Sequence, residues 1–309
     1  MNRLVVLGSV NADHVLQVPV FPRPGETLHG HHYQVLPGGK GANQAVAAAR
    51  LNADIGFVAC VGDDAFGITM RENFKCDGIN TRGVKIQPGC PTGIAMIQVS
   101  ASGENSICIS AEANAKLTAE SIETDLSAIR QAEYLLMQLE TPMDGVERAA
   151  AEACVSGTKV ILNPAPAKTL SDSLLRCVDI ITPNETEAEV LTGITVSDDE
   201  SAQNASDILH AKGIDTVIIT LGAQGVWLSQ RGCGQRISGF PVQAVDTTAA
   251  GDTFNGAFVT GLLNGLSAES AITYANAAAA LSVTRFGAQT SIPNSAEVED
   301  FLKQHTDFS

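Results

Sequence analysis

One segment combines a carboxylate with a run of small residues: Asp246-Thr247-Thr248-Ala249-Ala250-Gly251-Asp252. It connects an extended stretch to a helix that we expect to begin near Asp252. Small residues just before a helix leave backbone N–H groups exposed, and with the helix dipole these groups form a binding site for an anion. A carboxylate beside a bound phosphate is suited to take a proton from an alcohol. The same pattern is also typical of a carboxylate that only caps its helix.

A second glycine-rich segment, Gly38-Gly39-Lys40-Gly41-Ala42-Asn43, also precedes a helix. It is not a P-loop, because that motif has four residues between its glycines and a Ser or Thr after the Lys. Glycines let the backbone approach a small ligand closely, and Asn43 offers an amide donor and an acceptor. The segment therefore predicts either a small-ligand site or a tight turn.

Polar residues follow several predicted strands, where ligands bind in open α/β sheets. Asn11 and Asp13 follow the first strand and would face one side of an extended chain, and Glu140 follows another strand. This set suits a polyol, although each residue alone is typical of a turn or cap. Asn184-Glu185-Thr186-Glu187 indicates either a hydrated Mg²⁺ or a helix start. Thr220-Leu221-Gly222-Ala223-Gln224-Gly225 indicates either backbone near a ligand or a hairpin.

Composition excludes several classes of protein. The chain has 309 residues and a formal net charge of −15, which argues against a general nucleic-acid or anionic-membrane binder. No run approaches ~18 uninterrupted apolar residues, and the short run Leu4–Leu7 indicates a strand, not a secretory signal. Seven widely spaced cysteines without a C-x-x-C pair predict reduced thiols in a cytoplasmic protein.

The elements that must position these residues alternate between strands and helices. Short apolar runs such as Ile55–Val58 and Val217–Thr220 are typical of strands buried on both faces, and helix-like stretches such as Ala119–Arg130 lie between them. This order predicts an α/β fold: a three-layer, doubly wound, mostly parallel sheet in a single domain over 1–309. Two β-rich segments, at about 12–37 and 89–112, predict a small separate β-sheet with a hairpin turn at Ala101–Glu104.

Taken together, the motifs resemble the ribokinase-like carbohydrate kinase family. Gly38–Asn43 with Gln44–Ala47, and Asp246–Asp252 with Thr253–Ala257, look like the two family signatures, and the similarity extends from Leu4 to about Pro293. The resemblance implies ATP-dependent phosphorylation of D-ribose at its 5-hydroxyl. It makes Asp252 the general base and the backbone N–H groups of Ala249, Ala250 and Gly251 an anion hole. It also makes the small sheet a lid over the sugar, whose outer face forms a homodimer.

The resemblance further implies which residues bind each ligand; neither nucleic acid nor membrane is an expected partner. The sugar would contact Asp252 together with Asn11, Asp13, Gly39, Lys40, Gly41, Asn43 and Glu140. ATP would lie against Asn184, Thr220, Leu221, Gly222, Ala223, Gln224, Gly225, Gly251 and Asn276. Mg²⁺ would be near Glu187, and an activating K⁺ would be held by Asp246, Thr248, Ser282, Arg285, Gly287 and Ser291, largely through carbonyl groups.

Two alternatives remain open from the sequence. The first is a kinase for another alcohol, such as 2-deoxyribose, a hexose or a nucleoside. Asn11 and Asp13 favour ribose, because a substrate without the 2-hydroxyl would leave a buried polar group unpaired. The second is a catalytically silent sugar-binding regulator on the same fold, which the presence of both Gly251 and Asp252 disfavours.

Overall fold

The computed structural model describes residues 2–306. Its strands are β1 (Leu4–Leu7), β2 (Asn11–Val18), β3 (His31–Gly38), β4 (Ile55–Gly62), β5 (Asn80–Gln87), β6 (Gly93–Ser100), β7 (Asn105–Ser110), β8 (Tyr134–Met137), β9 (Lys159–Leu162), β10 (Ile180–Ile181), β11 (Thr216–Thr220), β12 (Val226–Gln230) and β13 (Cys233–Ile237).

The helices alternate with the strands of the larger sheet and cover it. They are α1 (Lys40–Arg50), α2 (Ala65–Cys76), α3 (Leu126–Arg130), α4 (Met143–Ser156), α5 (Asp172–Leu175), α6 (Glu185–Thr192), α7 (Asp199–Ala211), α8 (Ala250–Leu263), α9 (Ala268–Ser282) and α10 (Ser295–Thr306). Short 3₁₀ helices occur at Glu112–Lys116, Ser121–Thr124 and Gly222–Gln224. Within residues 2–306, no helix has the length and apolar character to cross a membrane.

The large sheet has nine strands in the order β13-β12-β11-β10-β9-β8-β1-β4-β5. It is parallel from β5 to β11, and β12 and β13 extend it in antiparallel fashion. Strand β1 is fully buried because both of its faces are covered: Leu4 and Val6 pack in one core layer, Val5 and Leu7 in the other. The predicted three-layer, doubly wound architecture is confirmed.

A second sheet of four strands, called here the small sheet, has the order β3-β2-β6-β7. Its central strands β2 and β6 are parallel, and the outer pairs are antiparallel. The predicted hairpin turn at 101–104 joins β6 to β7. The strands come from the two β-rich segments identified in the sequence, and β2 begins at Asn11, four residues after β1 ends at Leu7.

The sequence prediction of one helix over Ala119–Arg130 is wrong in its first half. The chain forms a 3₁₀ turn at Ser121–Thr124, and α3 begins only at Leu126. Ile122, Leu126 and Ile129 are all buried. Two short helices, instead of one long helix, therefore bury the apolar residues that occur at helical spacing. Helix α8 also begins earlier than predicted, at Ala250.

Candidate active site

The loop before α8 has the features of an anion site. Ala249 adopts a left-handed conformation with φ of 59°, which is unusual for a residue with a side chain. The Ala250 N–H donates to the Thr247 carbonyl at 3.2 Å, so one of the three predicted donors is engaged within the turn. The N–H groups of Ala249 and Gly251 donate to no group among residues 2–306. Two unpaired donors at a helix N-terminus suit a phosphate.

The packing of the protein does not require a glycine at position 251. No other part of the described chain lies within 4 Å of the position that a Cβ would take there. The helical backbone at this point also tolerates any side chain. A glycine in such a place is explained by a ligand that needs the space beside the backbone.

Asp252 lies in the first turn of α8 and is 7% exposed. Its Oδ2 accepts a hydrogen bond from Asn43 Nδ2 at 2.9 Å, and its Oδ1 accepts one from Gln44 Nε2 at 2.9 Å. Burial raises the pKa of Asp252, and Lys40 and the two amides oppose that rise. Two fixed donors and a nearby cation hold the carboxylate in place as a proton acceptor.

The glycines before α1 are needed for close packing against the loop that follows β1. A Cβ on Gly39, whose φ is 91°, would lie 2.8 Å from the Asn11 nitrogen, and one on Gly41 would lie 2.5 Å from the Gly8 carbon. The tight turn is therefore present, and it brings Lys40 beside Asp252 and the strand ends. The tight-turn interpretation of this segment is therefore confirmed, and its role in binding a small ligand stays a prediction.

Glu140 contacts the start of α1. Its Oε2 accepts hydrogen bonds from Ser9 Oγ at 2.5 Å and from the Lys40 backbone nitrogen at 3.0 Å. The carboxylate thus satisfies an N–H of the first turn, where the helix dipole favours negative charge. This contact joins the loops after β1 and β8 to the glycine-rich segment, and the predicted role of Glu140 in a polyol site stays a prediction.

Asp13 shares an electrostatic environment with these groups. Burial, followed by the charges of Glu140 and Asp252, raises the pKa of Asp13 to about 7, and Lys40 opposes the rise. Burial alone would lower the pKa of Lys40, but the surrounding carboxylates, chiefly Asp252 and Glu140, raise it. A buried cation among several carboxylates forms a strongly polar group of side chains suited to binding hydroxyl groups.

Asn114 is a site residue that the sequence did not reveal. It is 1% exposed, and its Nδ2 donates to Asn11 Oδ1 at 2.8 Å and to the Val10 carbonyl at 3.1 Å. Its Oδ1 accepts from the Val10 nitrogen at 2.9 Å. It therefore fixes the Asn11 side chain in one orientation. A single Asn in a 3₁₀ segment gives no periodic signal that could have identified it.

Asn184 and Glu187 form the reciprocal cap of α6. Asn184 Oδ1 accepts from the Glu187 nitrogen at 2.8 Å, and Glu187 Oε2 accepts from the Asn184 nitrogen at 3.0 Å. The helix-start interpretation is thus present in the structure. Burial raises the pKa of Glu187, and Lys40 opposes that rise. Glu187 Oε1 accepts no hydrogen bond from residues 2–306, so one oxygen remains for a water or a cation.

The segment Thr220–Gly225 ends β11 and turns into the antiparallel strand β12. Gly222, Ala223 and Gln224 form an exposed 3₁₀ turn, and Gly225 has φ of 91°. Asn276 of α9 is 8% exposed and donates from Nδ2 to the Ser238 carbonyl, just after β13, at 3.1 Å. This bond brings α9 to the same edge of the sheet as the hairpin.

Asp246 joins two loops beside the start of α8. Its Oδ1 accepts from the Thr248 nitrogen at 2.9 Å, and its Oδ2 accepts from the Gly287 nitrogen at 2.9 Å. Although burial raises it, these hydrogen bonds hold the pKa of Asp246 below its usual value. In the described chain, the carbonyl oxygens of Thr248 and Gly287 accept no hydrogen bond, which suits a monovalent cation.

The other predicted cation-site residues lie at the end of α9, which is Ser282, and on the second of these loops, which holds Arg285 and Ser291. Ser282 and Ser291 are fully buried, and each hydroxyl donates to a backbone carbonyl at 2.8 Å. The Arg285 guanidinium pairs with Glu297 at 2.6 Å. Its charge is therefore directed toward that carboxylate, which leaves its backbone carbonyl as the group suited to a cation.

A buried carboxylate beside two unpaired backbone N–H groups, at the edge of a doubly wound sheet, is the arrangement expected of a phosphotransferase of the sugar-kinase class. The model of the pfkB family of carbohydrate kinases matches residues 1–295, and the chain belongs to this family.

Individual relatives agree with this assignment. The chain is 55% identical to a ribokinase of Haemophilus influenzae over 300 residues, covering 97% of this chain and 98% of the relative. It is 36% identical to a deoxyribokinase of Salmonella typhimurium, covering 97% and 98%. The structure of Arabidopsis thaliana ribokinase complexed with ribose and ATP matches with a TM-score of 0.92 at 36% identity, covering 98% and 99% of the two chains.

Proposed function

We propose that this chain is a kinase that transfers the γ-phosphate of ATP to the 5-hydroxyl of D-ribose. The observation that carries the proposal is the arrangement at the start of α8. There the buried carboxylate of Asp252 lies beside the unpaired N–H groups of Ala249 and Gly251. This arrangement holds a proton acceptor next to an anion site, as phosphoryl transfer to an alcohol requires.

The sugar occupies the cavity between the small sheet and the first turns of α1 and α8. Asp13 accepts hydrogen bonds from ribose hydroxyls, and the amide of Asn11 donates hydrogen bonds to them. Lys40 also donates to these hydroxyls. The remaining members of the sugar site are Gly39, Gly41, Asn43 and Glu140. Since Asn114 holds the Asn11 side chain, the amide is already oriented before sugar binds, which lowers the entropic cost of binding.

Asp252 takes the proton of the 5-hydroxyl as the oxygen attacks the γ-phosphate in line. The N–H groups of the anion hole, Ala249–Gly251, stabilise the charge on the transferred group, and Ala250 joins them when its bond to Thr247 is released. The nucleotide lies along Gly251, Asn184, Thr220, Leu221, Gly222, Ala223, Gln224, Gly225 and Asn276. Glu187, whose Oε1 accepts no hydrogen bond from residues 2–306, is the residue that would hold Mg²⁺ through water, and the ion would neutralise phosphate charge.

Three further assignments belong to the same proposal. K⁺ binds at the carbonyl groups of the two loops that Asp246 joins, and it orders the loop before α8. Two copies of the chain pair through the small sheet, which closes over the sugar as a lid and excludes water. The enzyme acts in the cytoplasm, where ATP is available and where its seven unpaired cysteines stay reduced.

The principal alternative is a kinase for a related sugar, since a deoxyribokinase is among the similar proteins. The buried polar set at Asn11 and Asp13 favours a sugar with its full complement of hydroxyls, because an unpaired buried acceptor costs about 1–3 kcal/mol. A silent sugar-binding regulator is disfavoured by the intact Asp252 and anion site.

A coupled ATP-consumption assay tests the proposal, with Mg²⁺, K⁺ and ribose, 2-deoxyribose, fructose or adenosine in parallel. We expect the highest kcat/KM with ribose. A preference for another alcohol would overturn the substrate and retain the chemistry. No turnover with any of the four would overturn the kinase assignment itself.

A further inference from the structure

One of the two amides that hold the Asp252 carboxylate, Gln44, is itself hydrogen-bonded to the buried amides of Gln138 and Asn163; these three residues are called here the amide relay. Gln44 lies in α1 and is fully buried. Its Nε2 donates both of its hydrogens, one to Asp252 Oδ1 at 2.9 Å and one to Asn163 Oδ1 at 3.0 Å. The glutamine thus connects the base to the end of β9, the strand that Asn163 follows.

The relay fixes which way each amide faces. Gln138 Nε2 donates to Gln44 Oε1 at 2.6 Å, so the oxygen of Gln44 is turned toward Gln138 and its nitrogen toward Asp252. Asn163 Nδ2 donates to the Thr182 carbonyl at 3.1 Å, so Asn163 presents its oxygen to Gln44. A reversed Gln44 amide would place its oxygen against the carboxylate and lose its bonds to both neighbours.

The amide relay also contains a buried polar atom that lowers the stability of the folded chain, and an apolar core would not contain one. Gln138 is 1% exposed, and its Oε1 has no hydrogen-bond partner among residues 2–306. An orphaned buried acceptor costs about 1–3 kcal/mol, and an apolar side chain of the same shape would remove that cost. A polar group kept at such expense, one hydrogen bond away from the amide that holds a candidate base, is characteristic of a functional site.

We infer that Gln44, oriented by Gln138 and Asn163, is a positioning residue for the transfer reaction, fixing the Asp252 carboxylate with a free lone pair toward the sugar hydroxyl. The inference rests on the proposed function. Asn43 holds the other oxygen of the carboxylate, Oδ2, at 2.9 Å. Each carboxylate oxygen therefore receives one hydrogen bond from the protein, and each retains capacity to accept another.

The hydrogen bond from Gln44 also favours the ionised form of Asp252 and opposes the rise in its pKa that burial causes. Within residues 2–306, the charged groups that act on Asp252 include the Lys40 ammonium of α1 and the carboxylates of Glu140 after β8, Asp13 of β2 and Glu187 of α6. Hydrogen bonds from neutral amides favour the carboxylate form against burial and like charge. Loss of the Gln44 donor raises the pKa of Asp252, so activity requires a higher pH.

The test compares Gln44→Met and Gln138→Met with Thr260→Val in full pH profiles of kcat and kcat/KM for ribose. Thr260 is a matched control: it is fully buried in the same helix as Asp252, and its hydroxyl donates to the Gly256 carbonyl instead of the base. Methionine keeps the length of glutamine and removes its polar groups. Among residues 2–306, Gln138 is connected to Asp252 only through Gln44, so Gln138→Met can affect the Asp252 carboxylate only by changing how Gln44 is held.

We expect Gln44→Met to lower kcat by roughly 10–100-fold with little change in the KM for ribose. The acidic limb of its pH profile should shift to higher pH by about one unit, because one hydrogen bond to a charged group is lost. Gln138→Met should shift both quantities in the same direction by less, and Thr260→Val should leave the profile in place.

Unchanged pH profiles in both Met variants would overturn the inference while the wild-type kinase activity stands. A profile shift in Thr260→Val equal to theirs would also overturn it, because the effect would then be general. If Gln44→Met does not fold, Gln138→Met alone decides between these outcomes. A wild-type chain that phosphorylates none of the four alcohols would overturn the proposed function and this inference together.

Discussion

Asp252 is the residue on which the proposed chemistry depends. Asp252→Asn keeps the size of the side chain and removes its ability to take a proton. We expect kcat to fall by ~10²–10⁴-fold, the usual contribution of a general base, with ribose affinity largely retained. Turnover and calorimetric ribose binding measure the two effects separately. Asp300→Asn, an exposed carboxylate paired with Lys303, is the control. Near-normal turnover in Asp252→Asn would exclude this residue as the base.

Asp13 makes a second residue-scale prediction, which concerns stability. Its pKa of about 7 in the folded chain lies above the ordinary value of 3.8. The folded state therefore binds this proton more tightly, so the contribution of Asp13 to stability falls as pH rises from 3.8 to about 7. Asp13→Asn should be more stable than wild type by roughly 1–3 kcal/mol at pH 8, while it weakens ribose binding.

Urea unfolding at pH 5 and pH 8 measures this effect. The stability difference between Asp13→Asn and wild type should be larger at the higher pH, and Asp300→Asn should show no such trend. If the free energy of unfolding changes by the same amount between the two pH values in wild type and in Asp13→Asn, Asp13 is not a buried carboxylate with a raised pKa.

At the scale of elements, the loop before α8 is the part that a cation should order. Asp246 holds Thr248 and Gly287, and the free carbonyl groups on both loops would coordinate K⁺. We expect kcat to be several-fold higher in KCl than in NaCl at equal ionic strength, because the smaller ion fits a site of fixed carbonyls poorly. Asp246→Ala should remove most of this difference. Equal rates in the two salts for the wild type would remove the K⁺ assignment and leave the kinase assignment intact.

The sequence identified elements with strong local patterns and missed those without one. Strand β1, a continuous apolar run, and the α8 segment with its small residues were both predicted. Strand β5 was not, because Arg82, Gly83 and Lys85 break its apolar pattern and its pairing with β4 is what forms it.

The same distinction holds within the site. Asp252, Asp13 and Glu140 were recognisable at strand or helix ends. Asn114 and the amide relay were not, because their roles arise from contacts between residues far apart in the chain, such as Gln44 with Gln138 and Asn163. Buried amides carry no local signal of the partner that orients them, so only the fold reveals these positions.

At the scale of the whole molecule, the small sheet carries apolar side chains on the face that also bears Asp13. In the strand register, Asp13 pairs with Ala95 and Ala95 with Ile109, while Val15, Ile97 and Ile107 form the next row. Ile107 and Ile109 are 50% and 51% exposed. An exposed apolar row beside the proposed sugar site is explained if the small sheet of a second copy covers it, so we expect the dimer to use this face and not the outer face that the family resemblance implies.

The double variant Ile107→Asp with Ile109→Asp should therefore be monomeric by light scattering at concentrations where wild type is dimeric. Its KM for ribose should rise, because the open cavity admits water and loses its cover, while the ATP site is remote and unchanged. Met96→Asp is the matched control: Met96 is 55% exposed in the same sheet but pairs with His14 and Cys108 on the opposite face. If Met96→Asp dissociates the dimer and the isoleucine variant does not, the opposite face is the interface, and sugar binding is then independent of the partner.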